Sequence, residues 1–178
     1  MKISLSHRPL TALVLLLAIV TLATAADEPG SSAVLQPSGQ RKPAPAIELE
    51  DSLGKTATLV QYRGRVVVLD FWATWCHGCK QEIPWFAEFS RKYGDKGVVV
   101  VGVSLDSDGW KVVNPFIKTA HIPYQIVLGN DDVAKVYGIQ SMPDTFLIDR
   151  EGRIAAAYKG MVDKHNVDGN LRAILAER

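Results

Sequence analysis

The chain has 178 residues, 47% of them hydrophobic, and its 20 Lys and Arg against 19 Asp and Glu leave a formal net charge of +1. That balance excludes the electrostatic footprint of a nucleic-acid or anionic-membrane binder, and the length suits one domain with a proper core rather than two. Only two cysteines are present, Cys76 and Cys79; they are too few for a disulfide-stapled scaffold, and the loop between them is too small to constrain an unfolded chain.

At the N-terminus, Lys2 and Arg8 precede or flank an apolar stretch from Leu10 to Val20, and Ala23-Thr24-Ala25 supplies a small-residue cleavage site. This predicts an export signal over residues 1–25, with Ala26 first in the mature chain, and a location in a periplasm or on an extracytoplasmic face. An uncleaved anchor is the alternative, although Thr11 to Ala26 falls short of the ~20 residues a spanning helix needs. Residues 26–42, rich in Gly, Pro, Ser and Ala, predict a flexible leader, with the folded domain over 43–178.

Within that domain a short strand is expected at Ala46 to Leu49, then a turn at Asp51-Ser52-Leu53-Gly54 and a one-turn helix at Leu59 to Tyr62. Val66-Val67-Val68-Leu69, running into Asp70-Phe71, has the continuous apolar character of a strand buried on both faces. A helix should follow from Cys76 to Tyr93, kinked at Pro84. Val98 to Val103 repeats the buried-strand pattern, Trp110 to Ala120 has helical spacing, Tyr124 to Leu128 reads as a strand, and Asp131 to Tyr137 as a helix stopped by Gly138. Thr145 to Ile148 and Ile154 to Tyr158 flank a hairpin turn, and a last helix covers Lys164 to Glu177. Strands alternating with helices, then a terminal hairpin and helix, imply an α/β domain with a mixed sheet and helices on both faces.

The chemistry concentrates where the apolar strand gives way to the helix. There a Cys-x-x-Cys pair presents its first sulfur to the unpaired N–H groups and dipole of a helix N-terminus, which favour thiolate over thiol. Cys76 is thus the candidate nucleophile and Cys79, one turn further in, the candidate resolving thiol. A zinc site is the other use of such a pair, but it needs about four Cys or His ligands, and beyond the signal the chain offers two Cys with His77, His121 and His165. No metal or other cofactor is expected besides the redox-active pair itself.

Several features together carry a family resemblance. They are Phe71-Trp72-Ala73-Thr74-Trp75-Cys76, then Glu82 and Pro84, and Gly138-Ile139-Gln140-Ser141-Met142-Pro143 before Thr145-Phe146-Leu147-Ile148-Asp149. Over residues 43–178 the chain resembles the exported thioredoxin-like TlpA/ResA family, whose members reduce or transfer disulfides outside the cytoplasm. The resemblance implies a thioredoxin fold with an N-terminal strand extension and a central insertion at Asp106 to Leu128. It also implies a cis Met142-Pro143 bond facing the cysteines, where the Met142 backbone pairs with an extended substrate segment. Glu82, three residues past Cys79, matches the family's glutamate, and Asp70 resembles the buried aspartate of cytoplasmic thioredoxins. Either acid could take the proton from Cys79; an exposed helix glutamate is the alternative for Glu82. Of Trp72 and Trp75, one should contact the partner beside Cys76 and the other pack in the core, with Trp75 the candidate contact.

Gly78 stands where relatives often carry Pro and loosens the turn. His77, if cationic, would favour the Cys76 thiolate and a more oxidising pair; as an exposed ring it would do little. The expected activity is thiol-disulfide oxidoreduction on protein partners, among them apocytochrome c, by a monomer recycled through a membrane electron donor or acceptor. Two alternatives are a thiol peroxidase, which needs a Pro-x-x-x-Thr/Ser-x-x-Cys setting absent here, and a copper chaperone, whose cysteines are usually three residues apart.

Overall fold

A computed structural model describes residues 30–177; the expected export signal and residues 26–29 of the expected leader lie outside them. The domain opens with a small antiparallel hairpin, β1 (Glu48–Glu50) and β2 (Thr56–Thr58), followed by a 3-10 turn at Leu59–Tyr62. The first strand lies two residues later than its sequence pattern suggests, and β2 has no pattern at all, since Thr56-Ala57-Thr58 buries only Ala57. Then come β3 (Val66–Trp72), α1 (His77–Tyr93), β4 (Val98–Ser104), α2 (Trp110–Ala120), β5 (Gln125–Leu128), α3 (Asp131–Tyr137), β6 (Asp144–Ile148), β7 (Ile154–Lys159) and α4 (Lys164–Ala176).

The five long strands form one sheet in the order β5-β4-β3-β6-β7, with β3, β4 and β5 parallel and β6 and β7 added antiparallel. This is the mixed sheet expected. β3 is central, and all seven of its residues are buried. Because side chains alternate along a strand, Val66 and Val68 enter a core built with Phe86, Phe89 and Tyr93 of α1 and Val167, Leu171 and Ile174 of α4. Val67, Leu69 and Phe71 enter the opposite core with Val133 and Tyr137 of α3 and Leu49 and Ala57 of the hairpin. The same alternation turns Asp70 toward the α1 face. The insertion contributes α2 and the edge strand β5, and α2 closes a third cluster over Trp72, Cys76, Cys79 and Ile83.

Local chemistry sets the helix ends. Asn130 and Asp163 accept backbone N–H bonds as N-caps of α3 and α4, and Gly138, at φ 67°, ends α3 in the left-handed region. α1 is continuous through Pro84. Pro84 is on the exposed side, where the Lys80 carbonyl it leaves unbonded can turn to water.

Residues 30–42 are not a flexible leader. Ser31 bridges in parallel to Val162, Ala33 and Leu35 pack on the core, and Pro43 bridges to Arg153. Arg41 is buried; its guanidinium bonds Glu177 through two nitrogens at 2.7 and 2.6 Å and Asp149 at 3.2 Å, and its Nε donates to the Gln36 carbonyl at 2.9 Å. The described fold therefore begins before residue 43, because a buried cation must keep all of its partners.

Removing those partners' cation should be felt globally. Arg41→Met is expected to lower unfolding free energy by about 2–3 kcal/mol in urea titrations; a loss under ~0.5 kcal/mol, ordinary for a surface change, would return this segment to a loose leader.

Candidate active site

β3 ends at Trp72, and a four-residue turn brings Cys76 to the N-cap of α1. Its Sγ accepts the Cys79 N–H at 3.2 Å, so the sulfur itself meets one of the unpaired N–H groups that a helix start presents. Cys76 and Cys79 are joined as a disulfide, Cα to Cα 5.4 Å. Both are buried, Cys76 at 6% and Cys79 at 0% exposure. The first sulfur is therefore the more reachable one by a narrow margin.

The turn before Cys76 is fixed by a residue that sequence reasoning placed only at the start of the insertion. Thr74 donates both its N–H and its hydroxyl to Asp106, at 2.9 and 2.6 Å, and the Ser104 hydroxyl donates to the same carboxylate at 2.8 Å. Asp106 is buried and satisfied, and it ties the approach to the nucleophile to the end of β4. No motif marks it; the bonds form only once β3 and β4 lie in register, Trp72 opposite Ser104.

Opposite the pair, the Met142-Pro143 peptide is cis, as the resemblance implied. A Cβ built on Gly78 would stand 3.4 Å from Pro143 Cδ, so the cysteine turn and this proline are neighbours. Trp75 is 67% exposed, whereas Trp72 is buried and stacks against Phe116 at 5.4 Å between centroids; the two tryptophans thus separate as expected into surface and core. The His77 ring lies on the exposed helix surface, with Nε2 3.1 Å from the Gln81 side-chain amide.

Two acids of the adjoining elements, Glu82 of α1 and Asp70 of β3, are buried. Glu82 is fully buried, not an exposed helix glutamate; its Oε1 accepts the Val162 N–H at 2.6 Å and its Oε2 has no partner among the described residues. Asp70, 1% exposed, has the Thr145 hydroxyl at 3.4 Å, a long bond. Burial raises both pKa values far above the ordinary carboxylate range, and each is influenced by neighbouring acids: Asp144 acts on Asp70, while Asp70 and Asp144 act on Glu82. At neutral pH both carboxyls therefore hold their protons for the most part. Among the described residues, no three His, Cys, Asp or Glu side chains gather as a metal site, and no helix is long and apolar enough to cross a membrane.

Comparison with known proteins agrees with this geometry. Residues 41–157 match the AhpC/TSA family. The thiol-disulfide oxidoreductase ResA of Bacillus thuringiensis subsp. konkukian is 32% identical over 134 residues, 75% of this chain and 77% of that protein. ResA of Bacillus subtilis strain 168 is 33% identical over 132 residues, 74% and 73% of the two chains. Among solved structures, a chain provisionally named thiol:disulfide interchange protein DsbE, from Chlorobium tepidum, superposes with a TM-score of 0.72 at 32% identity, covering 76% of this chain and 97% of its own. A DsbF homologue from Corynebacterium diphtheriae, at 24% identity and a TM-score of 0.73, covers 81% of this chain and 94% of its own and shares the thioredoxin-like fold.

The two buried acids should leave a signature on stability. An acid whose pKa is raised by folding keeps a proton that the unfolded chain has already lost, so it subtracts stability as pH rises above the unfolded value of about 4. Glu82→Gln in the oxidised protein is therefore expected to gain stability over the unaltered chain progressively from pH 4 toward pH 8 in urea titrations. A difference that stays constant across that range would show that Glu82 is not held protonated.

Proposed function

The chain belongs to the AhpC/TSA family, with ResA thiol-disulfide oxidoreductases among its relatives, and on that premise we propose that it exchanges disulfides with protein partners outside the cytoplasm. The observation that carries this reading is the Cys76–Cys79 disulfide at the N-terminus of α1, with the buried acid Glu82 one turn further along the same helix. Thiol-disulfide oxidoreduction is the activity of the pair; its place, partners and residue roles are the proposal.

In the reducing direction the Cys76 thiolate attacks one sulfur of a substrate disulfide. The substrate S–S bond breaks, a mixed disulfide forms at Cys76, and the first substrate sulfur leaves as a thiolate that takes a proton from water. Cys79 then passes its proton to the ionised fraction of a buried carboxyl, a fraction that grows as pH rises, and attacks the Cys76 sulfur, which re-forms the internal disulfide and expels the second substrate thiolate. Glu82 is the better placed acceptor by sequence, three residues along the same helix from Cys79, and Asp70 assists across the sheet. Trp75 and the Met142 backbone beside Pro143 would hold an extended partner segment. Gly78 leaves the cysteine turn free to adjust against Pro143, and His77, turned to Gln81, acts on the pair at most through its charge.

The predicted export signal supports a location in a periplasm or on an extracytoplasmic face, with a membrane donor or acceptor resetting the pair. Reduction of apocytochrome c before haem attachment is one task consistent with the resemblance. A peroxidase would need the activating Pro-x-x-x-Thr/Ser-x-x-Cys setting that Cys76 lacks.

Cys79→Ala should accumulate mixed disulfides with extracytoplasmic proteins, visible as reducible adducts, while Cys76→Ala should trap none. Absence of adducts together with tight copper binding by the thiols would favour the copper chaperone instead. Glu82→Gln should slow resolution of a mixed disulfide about 100-fold, the scale of a lost general base, in stopped-flow tryptophan fluorescence; an unchanged rate across pH would remove Glu82 from the mechanism.

A further inference from the structure

Glu82 accepts a single hydrogen bond among the described residues, from the backbone N–H of Val162 in the loop between β7 and α4. That loop is gripped from its other side. Ser31 N–H donates to the Met161 carbonyl at 2.6 Å, and Asp163 N–H donates to the Ser31 carbonyl at 2.9 Å. These bonds use the residues before and after Val162, in a parallel bridge of Ser31 with Val162. Backbone polar groups alternate in direction along an extended segment, so gripping 161 and 163 from one side sends the N–H of Val162 to the other, where Glu82 is.

The approach is closer than a side chain permits. A Cβ on Gly30 would fall 2.3 Å from the Val162 carbonyl oxygen and 2.4 Å from its carbon. The rest of the segment is anchored independently: Ala33 N–H donates to Asn166 at 3.1 Å, Asn170 donates to the Ala33 carbonyl at 2.9 Å, and Gln36 N–H donates to the Ala155 carbonyl at 2.8 Å.

We propose that residues 30–36 form a positioning strap which, by clamping Val162 between Met161 and Asp163, aims the one amide that orients the Glu82 carboxyl, one helical turn past Cys79. The functional part of this inference rests on the reading that Glu82 receives the Cys79 proton. The strap touches no reacting atom and acts through Val162 alone.

The test is the titration of the Glu82 carboxyl carbon in 13C-glutamate-labelled full chain, assigned by its loss in Glu82→Gln. Measurement on the oxidised protein keeps both cysteines from titrating. The acid is faced by Asp70 from β3, Asp144 from β6 and Tyr124 from just before β5, where burial first, and then Asp70 and Glu82, hold the phenol well above its usual range. Gly30→Val should push the Val162 backbone aside and remove a bond that favours the carboxylate, so the Glu82 midpoint should move up by about one pH unit or more. Ser31→Pro, which removes the N–H to Met161, should move it the same way, and Ser31→Ala, which keeps every backbone bond, should not. Near-UV circular dichroism identifies folded variants; if Gly30→Val does not fold, Gly30→Ala takes its place. A midpoint unmoved in folded Gly30 and Ser31→Pro variants overturns the strap's role, even if both lower the melting temperature. Should the midpoint move while Glu82→Gln resolves mixed disulfides at the unaltered rate, the strap stands and the proton-transfer reading of Glu82 falls.

Discussion

Everything in this domain is arranged around a strand that water does not reach. β3 is buried along its whole length and hydrogen-bonded on both sides, to β4 and to β6. Its alternate residues therefore have to satisfy two separate cores, which is why a run of valines and leucine suits it. That same burial makes Asp70 unusual: a carboxyl placed midway in such a strand loses water on every side and keeps its proton. A strand this rigid also fixes where α1 begins, and so where the first sulfur sits.

The acids and the cysteines are consequently one unit. α1 carries Cys79 and Glu82 one turn apart on its buried face, and β3 offers Asp70 to that face from below. With two carboxyls in mutual influence, ionising one makes the other harder to ionise, so the pair titrates as a pair rather than as two independent groups. A site of this kind holds its protons at neutral pH and gives up one more readily than both. It is suited to a step in which a single thiol proton must leave a dry interior.

Much of this was readable in the sequence because it is written in local patterns. The valine run, the Cys-x-x-Cys at a strand end, Gly138 after a short helix and Met142-Pro143 before a strand each carry their own signal, and each element formed within a residue or two of its expected place. What escaped reading depends on partners far along the chain. Arg41 sits in a Gly- and Pro-rich stretch that looks mobile, yet its carboxylate partners lie 108 and 136 residues away. Ser31 acts through its backbone and has no side-chain signature, and Asp106 gains meaning only when Ser104 and Thr74 are brought beside it. Thr56 to Thr58 is too short for any periodicity to register.

The packing of residues 30–43 has one more effect, on the margin of the sheet. β7 is an outer strand, and its exposed side would offer unpaired backbone groups to any extended chain. Lys42 instead accepts the Ile154 N–H, Gln36 donates to Ala155, and on the far margin Asp51 of the hairpin bridges to Val127 of β5. With both margins partly occupied by the domain's own backbone, an extended chain that reached the cysteines would find little free sheet edge to join.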